Sequence, residues 1–304
     1  MRRYVLLPAL IALAIAFGAC GGGKSNNNAS GTRQPTSQNV STANLTPVPG
    51  NSELDVGPNR FALALIGKDN RAILEAPGTT VHLAFSGPGG SSFEQDAAFV
   101  WAIQNSNGFW TANVNFAKAG QWQVKTTVTV GGQASSVIAN FPVREKSVVP
   151  NIGDPAPPAD NLTLVTEPNI KRVSTDETPN NAFYQLTVTE ALQQAKPFVV
   201  VFATPKFCQT RFCGPVLNNV KAIQAAYADR VNFIHIEPYE LAADGSLASG
   251  SGAPVPAAPT LAWKLQTEPW VFVVKADGTI AARFEGAASS DELRAALDQA
   301  LTPG

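Results

Sequence analysis

Cys208 and Cys213 stand close together in the run FVVVFATPKFCQTRFCGPV, residues 198–216. An apolar stretch ends in a loop, the loop carries both thiols, and Gly214-Pro215 opens a helical pattern. A buried strand, a cysteine loop and a helix start, in that order, make a thiol reactive. The thiolate is the nucleophile, and the unpaired N–H groups of a helix start stabilise it. Lys206 and Arg211 add positive charge to the same loop, and no Asp or Glu occurs between Glu190 and Asp229. The chain has three cysteines. The third, Cys20, has a different use, which leaves the pair at 208 and 213 to form a redox couple with each other or with a partner.

That different use lies at the N-terminus. Met1-Arg2-Arg3 precedes an apolar run from Tyr4 to Phe17, and Gly18-Ala19-Cys20 follows. A basic start, a short apolar core and small residues describe a secretory signal. The run falls short of the roughly 20 apolar residues of a membrane span. The small pair before Cys20 resembles the lipobox of bacterial lipoproteins, although Phe17 stands where Leu is usual. The resemblance implies a signal peptide over 1–19, lipid on Cys20, and a mature protein anchored to the outer face of the bacterial cell membrane. The other reading is a plain signal peptide with an incidental cysteine. Lipid anchors a chain without making it cross the bilayer, and an extracytoplasmic compartment lets disulfides persist.

Residues 20–58 read as a disordered tether. They are rich in Gly, Asn, Ser, Thr and Pro, and Gly21 to Pro58 holds no aromatic residue, too little apolar surface to offset the entropy of ordering. The rest is long enough for two domains. A Pro-rich segment, opening with VVPNIGDPAPP at Val148–Pro158, reads as a semi-rigid linker over 147–180 between a domain at 59–146 and one at 181–304. The net charge of −1 and pI of about 6.2 come with no basic block, which argues against a nucleic-acid partner.

Over 59–146 the pattern is of short strands. Phe61–Ile66, Thr79–Phe85, Trp110–Phe116 and Trp122–Val130 are apolar or alternate, with Gly at their ends, the signature of a β-sandwich. The corner Ala119-Gly120-Gln121-Trp122 resembles a late strand of immunoglobulin-like and fibronectin-like domains. His82 reads as an edge or surface histidine, and Trp101, Trp110 and Trp122 as core. A spacer or interaction role follows for this domain, with no partner named.

The second domain starts with a capping box, Thr187 with Glu190, then a short helix and the apolar strand Phe198–Ala203 of the buried parallel kind. Val216, Val220, Ile223 and Tyr227 form one stripe of a helix that starts near Pro215. Val231–Ile236 and Trp270–Val274 are further strands, Asp277-Gly278 is a hairpin turn into Ile280–Phe284, and Ser289 with Glu292 caps a last helix carrying Leu293, Ala296, Leu297 and Leu301. This order, with the cysteine loop, Cys213-Gly214-Pro215, a Pro before WVFVV and Phe284-Glu285-Gly286, resembles the thioredoxin fold from about Phe183 to the C-terminus. The expected architecture is an all-β immunoglobulin-like sandwich followed by an α/β thioredoxin-like fold.

The chain departs from that family in one respect. Val216 stands where a second cysteine would complete Cys-Gly-Pro-Cys, and the partner cysteine precedes instead, in a C-x4-C spacing. Either Cys213 is the exposed nucleophile with Cys208 resolving, the choice favoured by the Gly-Pro that follows it, or Cys208 attacks and Cys213 is buried at the helix start. The resemblance further implies that the Glu268–Pro269 bond is cis and faces the cysteine loop. Glu268 is unusual there; a carboxylate facing the sulfurs raises the thiol pKa and biases the choice of partner.

The leading reading is therefore a thiol-disulfide exchange protein acting on extracytoplasmic protein thiols or disulfides, without cofactor or metal. Two alternatives stand beside it. One is a redox-inactive binding module in which the disulfide is a structural staple. The other is copper handling as in the Sco family, which needs a histidine; His235, in the strand VNFIHI, is the one in this domain. A peroxiredoxin fits less well, since its Thr lies three residues before the cysteine and here Pro205 does.

Overall fold

The computed structural model describes residues 45–67, 72, 78–250 and 252–302. The signal-like segment and Cys20 lie outside the described residues. The β-rich part contains β1 (Thr46–Pro49), β2 (Gly57–Ile66), β3 (Thr80–Ser86), β4 (Ser92–Ile103), β5 (Asn107–Phe116), β6 (Gly120–Val130) and β7 (Gln133–Val143). All pairings are antiparallel, in the order β1-β2-β5-β4-β3-β6-β7. Alternation drives it: Phe61, Leu63 and Leu65 on β2, Val81, Leu83 and Phe85 on β3, and Trp122, Val124 and Val128 on β6 are all buried. The two halves of the sheet face each other. The Phe61 ring meets Phe85 at 5.2 Å and Phe141 at 5.3 Å, and Phe116 meets Trp122 at 5.0 Å between centroids.

The halves join in one hydrogen-bonded sheet, close to a barrel, because β4 belongs to both. Its first half pairs with β3 up to Ala97, and its second half pairs with β5 from Ala98. At the corner before β6, Gly120 has φ +130, and the Trp122 indole N–H donates to the Lys118 carbonyl at 2.9 Å. A Cβ on Gly87 would lie 2.3 Å from the Trp122 ring, so only glycine lets the strand pass that close. Trp110 and Trp122 are core, whereas Trp101 is half-buried against Phe99. His82 points outward to Asp96 and Glu94 on β4, at 2.8 and 3.4 Å.

Residues 45–58, assigned above to the tether on composition, are part of the fold. β1 pairs with β2, and Leu45 and Leu54 are buried in the β core. The Pro-rich segment is likewise packed. Gly153 and Ile280 bond through N–H to O at 2.8 Å, Ile280 N–H donates to Asp154 O at 2.9 Å, and Val149, Ala156 and Ala159 are buried. Proline holds this backbone extended, and it covers an edge of the second sheet that would otherwise be unpaired.

Next come α1 (Ile170–Val173), α2 (Val188–Gln193), β8 (Phe198–Phe202), α3 (Cys213–Tyr227) and β9 (Asn232–Ile236). A small hairpin follows, β10 (Ser249–Gly250) and β11 (Ala253–Pro254), then α4 (Ala258–Ala262), β12 (Trp270–Val274), β13 (Ile280–Glu285) and α5 (Ser290–Leu301). Both capping boxes, Thr187 with Glu190 and Ser289 with Glu292, are formed. The four-stranded sheet has the order β13-β12-β8-β9, with β8 parallel to β9. Both faces of β8 and β12 are covered, which is why they read as continuous apolar runs. Val199, Val201, Val271 and Val273 face α3 and α5, while Phe198, Val200, Phe202 and Phe272 pack with Val188 and Trp263.

The β sheet docks on this α/β domain. Ala62, Ala102 and Phe109 belong to the α/β core, and the Phe109 and Phe212 rings meet edge-on at 6.2 Å. Arg60 pairs with Glu292 at 2.7 Å and lies over the rings of Phe109 and Phe284 at 5.4 and 5.6 Å. Arg283 reaches Asp55 at 3.1 Å. Burial holds the Asp55 carboxyl above its usual range in spite of Arg283, so this pair fixes geometry more than it adds stability.

Candidate functional site

β8 delivers the chain to Thr204, and the cysteine loop runs from there to α3. The loop is held at its base. Ala203 N–H donates to Ile236 O at 3.1 Å, Phe207 N–H to Thr204 O at 3.3 Å, and Lys206 N–H to Thr175 Oγ1 at 3.3 Å. Arg211 takes a left-handed turn, φ +64, before the helix.

Cys208 and Cys213 are joined as a disulfide, with 5.9 Å between their Cα atoms, inside the range such a bond needs. The two sulfurs differ in access. Cys213 is completely buried, while Cys208 is half-buried. Gly-Pro after Cys213 had favoured it as the exposed nucleophile; the structure places Cys208 on the outer side. The reason is helical register: Cys213 opens α3 on the face that carries Val216, Leu217 and Val220, all buried. The spacing 213, 216, 220 carried that signal in the sequence.

The helix start acts on Cys208. The Cys213 N–H donates to Cys208 Sγ at 3.2 Å, and the Thr210 hydroxyl lies 3.3 Å from the same sulfur. Phe212, the residue before the helix, offers no side-chain cap, and no acidic residue sits in the first turn. Pro215, in the first turn, lacks an N–H that would have no partner there. Lys206 and Arg211 are exposed, Lys206 with its Nζ 5.3 Å from the Phe207 ring centre.

The Glu268–Pro269 bond is cis, as the resemblance implied. Pro269 is buried, and its carbonyl accepts the Gly286 N–H at 2.9 Å. Glu268 is half-buried and accepts the Tyr239 hydroxyl at 3.0 Å. Burial, with the Glu268 carboxylate beside it, pushes the Tyr239 phenol up to about 12. A cleft brings Glu268 together with Thr210 and Phe212 of the cysteine loop. The loop lacks carboxylates in sequence, and the fold supplies one in space.

Sequence reasoning missed the group beneath the loop. Glu237, just past β9, is 5% exposed and accepts the backbone N–H and the hydroxyl of Thr175, both at 2.6 Å. Thr175 Oγ1 in turn accepts Lys206 N–H, so a buried carboxyl holds the loop through one threonine. Burial pushes Glu237 up to about 7, against the hydrogen bonds from Thr175. The signal was the lone acid after VNFIHI, a charge directly following a buried strand.

His235 is a packed strand histidine. Nε2 lies 2.9 Å from Ala203 O and Nδ1 2.9 Å from the Tyr184 hydroxyl, and burial lowers it to about 4. The Ala203 carbonyl requires the Nε2–H tautomer, which leaves Nδ1 as an acceptor facing the hydroxyls of Tyr184 and Ser174, themselves hydrogen-bonded to each other. With both nitrogens engaged, it offers copper no free ligand atom. Among the described residues no group of three or more His, Cys, Asp or Glu is placed to hold a metal, and no helix is long and apolar enough to cross a membrane.

A family model described as a thioredoxin-like domain matches residues 184–301. The C-terminal part of the chain is a thioredoxin-like domain, preceded by an all-β domain. No curated protein matches the chain.

Proposed function

We propose that this chain is a lipid-anchored, extracytoplasmic protein that exchanges the Cys208–Cys213 disulfide with thiols of partner proteins. One observation carries the reading: the half-buried sulfur of Cys208 sits on the N–H of the helix start and is bonded to a fully buried sulfur. An accessible sulfur that the helix stabilises as thiolate, and an inaccessible one that serves as leaving group, are what directed exchange requires. The signal-like N-terminus and Cys20 support the anchor and the oxidising compartment.

The step is a displacement. A partner thiolate attacks Cys208 Sγ, forming a mixed disulfide, and the Cys208–Cys213 bond breaks with its electron pair leaving on Cys213 Sγ. A second partner thiolate then attacks the partner's own sulfur and expels Cys208 as thiolate. The partner ends oxidised, and both cysteines of this chain are reduced by the electron pair it gave up. The reverse sequence reduces a partner disulfide.

Cys213→Ser, in the full chain, is expected to accumulate mixed disulfides through Cys208, read on non-reducing gels and by mass. Cys208→Ser is expected to accumulate none, because Cys213 is buried. Equal trapping by both variants, or by neither, would count against the assignment. Cys20→Ser should move the protein from the membrane fraction to the soluble one. The staple reading draws on the complete burial of Cys213. A reduction potential below about −300 mV would favour it, since such a bond resists the thiol pool.

A further inference from the structure

A cleft of about 390 Å³ lies beside the disulfide, and both domains build it. Thr210, Phe212 and Glu268 form one side, and Val48, Leu63 and Phe109 of the β domain lie on the other. Thr210 Oγ1 is 3.3 Å from Cys208 Sγ, so the cleft adjoins the accessible sulfur. Its size is near the lower end of ligand clefts, about 300–1,000 Å³. That admits a side chain and its neighbouring backbone, and excludes a folded surface.

The charge of the cleft is one-sided. Its charged lining residues are Glu268 and Glu285, with no Lys, Arg or His among the described lining residues. Glu285 is used up: its oxygens accept from Ser52 N–H at 2.8 Å, from the Ser52 hydroxyl and from the Thr267 hydroxyl at 2.9 Å. It clamps the β domain to the residue that precedes Glu268. Glu268 itself is half-buried, with Tyr239 on one oxygen, and is the carboxylate an incoming group meets. Apolar walls ending at a carboxylate suit a long basic side chain, whose methylenes pack while the charge pairs.

We propose that this cleft receives a Lys or Arg next to the partner's reactive cysteine, and that Glu268 is the residue that selects it. The substrates are extended segments that place a cysteine beside a basic residue. This rests on the exchange reading above. Within it the charges divide the work: Lys206 and Arg211 on the loop favour the attacking thiolate, and the acidic cleft holds its basic neighbour. Such pairing sets rate and choice of partner more than overall affinity.

The test uses the oxidised full chain and capped hexapeptides holding one cysteine flanked by Lys, Ala or Glu. The rate at which each peptide opens the Cys208–Cys213 disulfide is divided by its rate with a small disulfide reagent, which removes the effect of the flanking charge on the thiol. The Lys peptide is expected to react about three- to fivefold faster than the Ala peptide, the scale of a partly exposed ion pair, and the Glu peptide slower. Glu268→Gln should abolish or invert that order. Equal rates in the parent protein, or an order unchanged in the variant, would overturn the inference and leave the exchange reading standing. If no peptide reacts while dithiothreitol opens the disulfide, both fall.

Discussion

Replacing Glu237 with Gln is expected to reshape the pH dependence of stability, because two buried groups at β9 titrate in opposite directions. The native Glu237 carboxyl lies near about 7 against an ordinary 4.5. Between those values the native state keeps a proton that the unfolded chain has lost, so stability falls as pH rises. At ~1.4 kcal/mol per pH unit the loss totals about 3 kcal/mol. His235 lies near about 4 against an ordinary 6.5. Between those values the unfolded chain binds a proton that the native state refuses, so stability rises with pH, again by about 3 kcal/mol. The two windows overlap from 4.5 to 6.5, and there the contributions offset each other. The parent profile should be nearly flat in that interval and fall from there toward pH 7. In Glu237→Gln the His235 contribution stands alone, so stability climbs by about 3 kcal/mol from pH 4 to 6.5 and then levels. Gln keeps an oxygen for Thr175, so the change of slope separates from any constant offset of the substitution. Denaturant unfolding of the disulfide-intact protein at intervals between pH 4 and 8 measures both profiles. Parallel profiles would refute the reasoning, for they would mean that Glu237 does not hold its proton in the native state.

Gly87→Ala should destabilise the β domain by about 1–3 kcal/mol, since the added methyl falls on the Trp122 ring; thermal unfolding followed by tryptophan fluorescence reads it. Arg60→Ala leaves Glu292 without its partner across the domain contact and removes a cation from over two rings. A loss of about 1–3 kcal/mol is expected, with faster hydrogen exchange at the start of α5. Unchanged exchange there would mean that the domains dock without this pair.

The α/β half was legible because its signals are local. Thr187 with Glu190 and Ser289 with Glu292 formed the capping boxes their spacing implies. Two apolar runs became the buried strands β8 and β12. The β half was legible only in part. β4 and β7 went unseen, since β4 carries Glu94, Gln95 and Asp96 in a row, all exposed, which breaks the alternation, and β7 mixes Ser, Asn and Pro142 with its apolar residues. β1, with two prolines in four residues, reads as linker by composition and is a strand because β2 offers it an edge.

Strand, loop, capped helix and the closeness of two thiols follow from residues near one another in the chain, because propensity, capping and periodicity act over a few positions. The carboxyl of Glu237 beneath the loop, that of Glu268 beside it, and the cleft shared with the β domain arise from residues far apart in sequence. Burial and charge at the disulfide are sums over everything packed around it, and only the closed fold determines which groups enter that sum.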